Sequence, residues 1–381
     1  MHPFTREHDE LRSAIRQFLQ KEIAPHVEEW ERAEQVPRTV LRKMGELGYF
    51  GLNIAEEYGG GGENPLAEAV LHEELGRLNA SGFANTVGVH IGIAMRPVYR
   101  FGTEEQKQAY VVPGVQGEKI GALAITEPGA GSDVAAIRTK AVREGDGYVL
   151  SGNKIFITNG VYADFYVVAA KTNPEAGHRG VSLFIVDRDA PGFHVQRKLE
   201  KVGNHASDTA ELFFDDCRIP ADRLLGEENR GFYLVMQNFQ WERLMIALQT
   251  LGTAQAALDM AVEYAKTRQQ FGGPLTQFQV IRHRLVDMAV EVEKARQLTY
   301  HALDLYARGI DAVAETSMAK LTATETACKV ADEALQIHGG YGYMNEYPIQ
   351  RAWRDMRVTR IYGGTSEIMK EIIAKRMGLL P

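Results

Sequence analysis

The residue best placed to do chemistry is Glu242, in the stretch Asn238-Phe-Gln-Trp-Glu-Arg-Leu244. At helical spacing Val235, Phe239 and Ile246 share its face, so a carboxylate interrupts an otherwise apolar stripe. Taking an ionised carboxylate out of water costs several kcal/mol or more, so such a group pairs, raises its pKa or is kept for chemistry. Two readings follow: a structural ion pair with Arg243 or a neighbouring helix, or a buried base. Other reactive residue types carry less. Cys217 and Cys328 are too few and too far apart for a disulfide framework, a zinc site or a redox pair. Gly59 to Gly62 are followed by no Lys-Ser/Thr and preceded by no strand, so they read as a loop and not a phosphate cradle. The one Glu-x-x-His spacing, Glu175 to His178, falls in a Pro/Gly loop and not on a helix, so no metal is expected.

The elements that must position Glu242 change texture twice. From residue 4 to about 120 the pattern is helical, with Leu11, Ile15, Phe18, Leu19 and Ile23 ahead of Pro25, then Val40, Leu41, Met44 and Leu47. Pro65 opens a helix carrying Leu66, Ala69 and Val70, and Thr103-Glu-Glu starts another. Near residue 121 the period shortens to that of strands: Gly147–Leu150, Lys154–Thr158, Phe165–Ala170, Val181–Val186 and Thr209–Phe214. With no helices between them, these predict an antiparallel β domain and argue against a βαβ nucleotide fold. From Gly226 the chain is helical again: about 231 to 270 before Phe271-Gly-Gly-Pro, then 276–308, 311–338 and 365–378. Thr365 or Ser366 caps the last, and Glu367 suits its dipole. The expected architecture is α+β with three domains: an N-terminal helical domain (1–120), a middle antiparallel β domain (121–225) and a C-terminal four-helix bundle (226–381).

Composition narrows the function class. The 381 residues carry 43 Lys and Arg against 50 Asp and Glu, a net charge of -7 with no basic block. This argues against a nucleic-acid surface. No run of about 18 apolar residues occurs, and Thr5-Arg-Glu-His-Asp-Glu10 is charged where a signal peptide has its apolar core. A soluble, unprocessed, cytoplasmic protein is expected.

Five motifs in order resemble the acyl-CoA dehydrogenase family over essentially the whole chain. They are Ala124-Ile-Thr-Glu-Pro-Gly-Ala-Gly-Ser-Asp133, Gly152-Asn-Lys-Ile-Phe-Ile-Thr-Asn159, Arg268-Gln-Gln-Phe-Gly272, Gln336-Ile-His-Gly-Gly-Tyr-Gly342 and Arg360-Ile-Tyr-Gly-Gly-Thr-Ser-Glu367. The resemblance implies bound FAD. The first motif then wraps the flavin ring and pyrophosphate through Ile125, Thr126, Gly131 and Ser132; glycines let backbone N–H groups approach anionic oxygens, and the hydroxyls add donors. In the second, strand alternation sets Lys154, Phe156 and Thr158 on one face. By resemblance Phe156 packs on the isoalloxazine, where many relatives have Trp, and Thr158 bonds near flavin N5. Arg268 and Phe271, with Gln336 and Gly340, are implied to reach the FAD of a neighbouring subunit, which requires an oligomer such as a homotetramer. His338 matches a family position that is not catalytic. Thr365 and Glu367 join the cofactor side.

The fifth motif assigns the base. In medium- and short-chain members a catalytic glutamate stands where this chain has Gly363, whereas in the long-chain and isovaleryl branches it comes from the Glu-Arg-Leu element, here Glu242-Arg-Leu244. The vacancy and the compensation coincide. His205–Phe214, Leu225–Phe232 and Tyr362–Glu371 look most like the long-chain branch. The implied reaction is α,β-dehydrogenation of a fatty acyl-CoA: Glu242 takes the pro-R α-proton and flavin N5 the β-hydride. Ser132, Arg243, Tyr362 and Gly363 lie against substrate, the Gly363 N–H and a ribityl hydroxyl hold the thioester oxygen, and an electron-transfer flavoprotein receives the electrons. Relatives often place Asp three residues before Arg243, where this chain has Gln240. Alternative substrates are a branched acyl-CoA or a carrier-protein-bound acyl thioester; an oxygen-using flavoprotein or a flavin-free scaffold on the same fold are further alternatives.

Overall fold

A computed structural model describes residues 3–379. The N-terminal region is a set of helices running from Arg6–Phe18 to Val112–Val115. The first does not simply end at Pro25. Its last turn widens into a π-helix over Leu19–Ile23 and a 3-10 turn over Ala24–His26, because proline has no N–H to give the α-ladder; Val27–Ala33 then continues. Asn64 caps Pro65–Arg77, its Oδ1 accepting from the N–H groups of Leu66 and Ala67 at 3.1 Å. Thr103 forms a reciprocal capping box with Gln106. Leu47, expected on an apolar face, is half exposed at the end of Arg38–Glu46.

The β domain is one eight-stranded sheet. From one edge the strands are Leu224–Leu225, Val181–Asp187, Phe165–Lys171, Lys140–Glu144, Gly147–Thr158, Thr209–Pro220 and Phe193–Lys198, with Gly121–Ala124 also paired to Phe165–Lys171. Two expectations change. The runs 147–150 and 154–158 are one strand, and the sheet is not wholly antiparallel: Gly121–Ala124 runs parallel to Phe165–Val168, and Lys140 pairs Lys171 in the same sense. The reason is burial. Every residue of Phe165–Lys171 is buried, so its backbone groups must all be paired within the sheet, and Gly121 allows close approach because a Cβ there would lie 2.5 Å from the Phe165 ring.

The C-terminal bundle is Gly231–Thr267, Gln279–Ala307, Val313–His338 and Ser366–Arg376, with a further short helix, Ile349–Met356, that periodicity did not announce. Gly231–Thr267 has 37 residues and so spans about 55 Å. It packs against Pro65–Arg77 as well as against the bundle, tying the two helical regions together. It stops at Thr267, three residues before the expected end. Gln269–Gln270 and Gly273–Pro274 close a small hairpin through Phe271 and Gly272, both at positive φ.

Candidate active site

Glu242 sits in the fourth turn of Gly231–Thr267, in a stretch from Trp241 to Ala254 where every residue is buried. The expected stripe is therefore part of a helix buried on all sides, covered by Pro65–Arg77, Val89–Met95 and the bundle. The Glu242 residue is 4 % exposed, and its Oε1 accepts from Asn238 Nδ2 at 2.7 Å. Loss of water pushes the carboxyl up to about 7; the Asn238 bond and the Arg243 charge oppose this without cancelling it. Arg243 gives no hydrogen bond to Glu242. Consecutive helical residues point to different sides, and the Arg243 guanidinium lies 5.5 Å from the Phe239 ring centre, with its buried Nε unpartnered. The ion-pair reading with Arg243 is not what the geometry shows.

Gly363 meets the same helix. Its φ is +63°, and a Cβ built there would come within 2.3 Å of Ile246 Cδ1, one turn beyond Glu242. The vacant position and the carboxylate thus share one face of Gly231–Thr267. Lys320, buried on Val313–His338, donates to the Gly364 carbonyl at 2.7 Å and pins the turn; burial lowers its pKa to about 8. Thr365 caps Ser366–Arg376 by accepting from Ile368 N–H, and Ser366 donates to Glu325 at 2.7 Å. Glu367 is exposed in the first turn, and the backbone N–H there lowers its carboxyl pKa. Tyr362 is half-buried, its hydroxyl pKa raised by burial.

On the β domain, the loop after Gly121–Ala124 lies beside the strand carrying Phe156: Ile155 N–H donates to the Thr126 carbonyl at 2.9 Å. Fully buried Lys154 donates to the Ile125 carbonyl at 2.9 Å and to Glu127 at 2.8 Å, and Glu127 also accepts from Arg138 and Thr139 N–H. Lys154 therefore builds the loop, and the expected alternation fails. Between Lys154, paired to Leu212, and Ile157, paired to Ala210, a bulge adds a residue; Phe156 takes φ +61° and turns outward, 66 % exposed, while Lys154 turns in. Phe156 and Lys154 are on opposite sides, and Thr158 is half-buried.

These residues fit FAD. A Cβ on Gly129 or Gly131 would meet nothing within 4 Å, and neither glycine has positive φ, so protein packing and backbone strain do not call for glycine there. The open space leaves room for an external group to approach the loop backbone closely. Ser132 is exposed on the same loop, and the outward Phe156 offers an aromatic face beside it.

A second cluster lies at the other end of the long helix. Arg268 is 5.4 Å from the Tyr341 ring centre, which joins the hairpin to the 336–342 turn; Gln336 and Gly340 are exposed there and Phe271 is 91 % exposed. His338 stacks on Tyr264 at 4.2 Å, its Nδ1 2.7 Å from the Ala334 carbonyl, and burial depresses its pKa. It is a buried packing residue. Arg268 is 26 residues beyond Glu242, about 39 Å along the axis. The structure thus brings together Glu242 with Gly363, and Thr126 with Phe156, but sets Arg268, Phe271, Gln336 and Gly340 apart. Sequence reasoning missed Asn238, although its i, i+4 spacing to Glu242 was there to be used, and Lys320, which no pattern marks.

Models of the acyl-CoA dehydrogenase N-terminal, middle and C-terminal domains match residues 5–118, 122–217 and 229–378. The chain belongs to the acyl-CoA dehydrogenase family. Members are FAD-dependent oxidoreductases. An acyl-CoA dehydrogenase of Bacillus subtilis is 44 % identical over 97 % of this chain and 98 % of its own length. The mitochondrial long-chain specific acyl-CoA dehydrogenase of Mus musculus is 44 % identical over 98 % of this chain and 87 % of its own. The crystal structure of acyl-CoA dehydrogenase from Geobacillus kaustophilus superposes with a TM-score of 0.96 at 46 % identity, covering 98 % of each chain. Among the described residues no helix is long and apolar enough to cross a membrane, and no three His, Cys, Asp or Glu gather as metal ligands.

Proposed function

We propose that the chain converts a fatty acyl-CoA to its trans-2-enoyl-CoA, with Glu242 as the base that removes the α-proton. The observation that carries this reading is the environment of Glu242: a carboxyl buried to 4 % exposure, bonded to Asn238 alone among the described residues, with a pKa near 7, facing the Gly363 turn. A general base works best when its pKa lies near the working pH, and burial moves this one there. Burial also keeps water from the developing charge. The Gly363–Gly364 turn, held by Lys320, supplies fixed backbone donors on the same helix face, where the thioester oxygen gains charge; a donor fixed in advance contributes about 3 to 4 kcal/mol. Arg243, with its unpartnered Nε, is the cation available to CoA. Bound FAD supplies the acceptor for the hydride leaving the β-carbon.

Ile125, Thr126, Gly131, Ser132, Phe156 and Thr158 hold the flavin half of the cofactor in this reading, with Thr365 and Glu367 at its edge. Arg268, Phe271, Gln336 and Gly340 cluster at the other end of the long helix from Glu242, with Arg268 about 39 Å along its axis. They complete the site of a second copy, which makes the working form an oligomer, in line with a homotetramer. The electrons pass on to an electron-transfer flavoprotein. The test is an anaerobic panel of straight-chain acyl-CoAs of graded length, branched acyl-CoAs and carrier-linked acyl groups, read by bleaching of the flavin band. Bleaching by straight-chain CoA thioesters supports the reading; bleaching only by branched or carrier-linked groups replaces the substrate, and bleaching by none refutes the activity.

A further inference from the structure

Asn238 stands one helical turn before Glu242 and is 2 % exposed. Its Nδ2 donates to Glu242 Oε1 at 2.7 Å and, more weakly, to the Gly92 carbonyl at 3.4 Å on the neighbouring segment Val89–Met95. Its own Oδ1 is buried with no partner. A side chain serving packing alone would not leave a buried oxygen unsatisfied, and an apolar residue of the same shape would avoid that cost. The amide is therefore placed for what its nitrogen does.

Its effect is to make the two carboxylate oxygens unequal. Oε1 is engaged, whereas Oε2 accepts no hydrogen bond among the described residues and is not one of the sealed, unpartnered oxygens. Resting on the reading of Glu242 as the base, we propose that Asn238 is a positioning residue that holds Glu242 by Oε1 and leaves Oε2 as the oxygen receiving the α-proton. In that step the α C–H bond breaks and an O–H bond forms at Oε2. The electron pair left on the α-carbon becomes the α,β double bond as the β-hydride leaves with its own pair to FAD. The amide N–H also stabilises the ionised carboxylate before the step, and so opposes the upward push of burial.

The charged groups on surrounding elements are committed elsewhere. Glu68 accepts from Trp241 Nε1 at 2.9 Å and lies 3.4 Å from Arg96 and 3.3 Å from His72. Lys320 is bonded to Gly364, and Arg243 acts on Glu242 only through its charge. Tyr362 precedes the Gly363 turn with its phenol neutral. Among the described residues, the bond from the Asn238 amide is thus the one hydrogen bond that sets the carboxylate's orientation.

The test uses the FAD-loaded full-length protein and the rate of anaerobic flavin reduction at saturating acyl-CoA, followed between about pH 5 and 9 in Asn238→Leu and Asn238→Asp. In Asn238→Leu the acid limb of the rate profile moves up by about one pH unit, and the rate at about pH 7 falls about fivefold with substrate affinity changed less than about twofold. In Asn238→Asp, which keeps the shape and adds a second carboxyl in contact, the limb moves further up. An unshifted limb in variants that retain FAD overturns the proposal, even if the rate drops, because a packing defect lowers the rate at every pH. If Asn238→Leu does not hold FAD, the near-isosteric Asn238→Asp decides alone. Glu242→Gln separates the two levels: persistent bleaching removes the base itself, whereas a dead Glu242→Gln with unshifted Asn238 variants removes only the positioning role.

Discussion

Gly363 can be probed by adding one methyl group. Gly363→Ala places a Cβ at φ +63°, which costs an L-residue about 1–2 kcal/mol, and sets that Cβ 2.3 Å from Ile246 Cδ1, an overpacking worth about 1–3 kcal/mol. The sum is about 2–5 kcal/mol. For the domain matched over residues 229–378, each kcal/mol moves the thermal midpoint by about 2–4 °C. The clash lies with a single atom, since the next Ile246 atom, Cγ1, is 3.9 Å away. Ile246→Val removes that Cδ1. Alone it destabilises by about 0.5–1.5 kcal/mol, but in the Gly363→Ala background it relieves the contact and leaves only the backbone cost. A double-mutant cycle on the FAD-loaded protein, read by thermal and denaturant unfolding, should give a coupling of about 1–3 kcal/mol in the favourable direction. Additivity within about 0.5 kcal/mol would show that Gly363 does not face Ile246, and would remove the argument that positions 363 and 242 share a helix face.

Three further outcomes follow from the same geometry. The carboxyl of Glu242 is raised from an ordinary 4.5 to about 7, so the folded state binds this proton more tightly than the unfolded chain does; the stability this contributes is full below about pH 4.5 and is lost as pH rises through 7. Glu242→Gln should therefore be more stable than the parent at pH 8, by about 3 kcal/mol, with the gap closing towards pH 5; equal thermal midpoints at both pH values contradict it. The rate of flavin reduction should itself rise with pH through about 7 and level off, and a profile flat down to pH 5 would dissociate Glu242 from the proton transfer. Phe271 is 91 % exposed on the single chain, so Phe271→Ala should leave the folding of one chain almost unchanged yet weaken FAD retention and assembly; unchanged flavin content and sedimentation on dilution would exclude a contact between copies there.

Much of the frame was legible because it rests on local rules. The long helices announced themselves by period, and the Thr365 cap and the Thr103 capping box follow from residue type. What escaped depends on contacts between distant segments. Gly121–Ala124 is too short to read as a strand alone, and it exists because the buried strand Phe165–Lys171 needs a neighbour. The bulge at Phe156 reverses a plain alternation, and no period-two rule foresees an aromatic at positive φ. Glu242 was legible as a carboxylate out of place, but whether it paired with Arg243 was not. That depends on side-chain directions, which only the packed helix reveals, and on the Asn238 amide, whose i, i+4 spacing to Glu242 stood in the sequence. Lys320 shows the same limit from the other side: nothing around it in sequence marks a buried ammonium, and its role comes from the Gly364 carbonyl 44 residues away.

Glu242 carries the proton transfer in the proposed reaction. The direct measurement is anaerobic flavin reduction in Glu242→Gln, FAD-loaded and mixed with an acyl-CoA that bleaches the parent protein. The glutamine keeps the shape and cannot take the proton, so the substrate should still bind while the reduction rate falls by at least about a hundredfold. Bleaching at a near-parental rate would contradict the assignment of the base and, with it, the reading of the whole site.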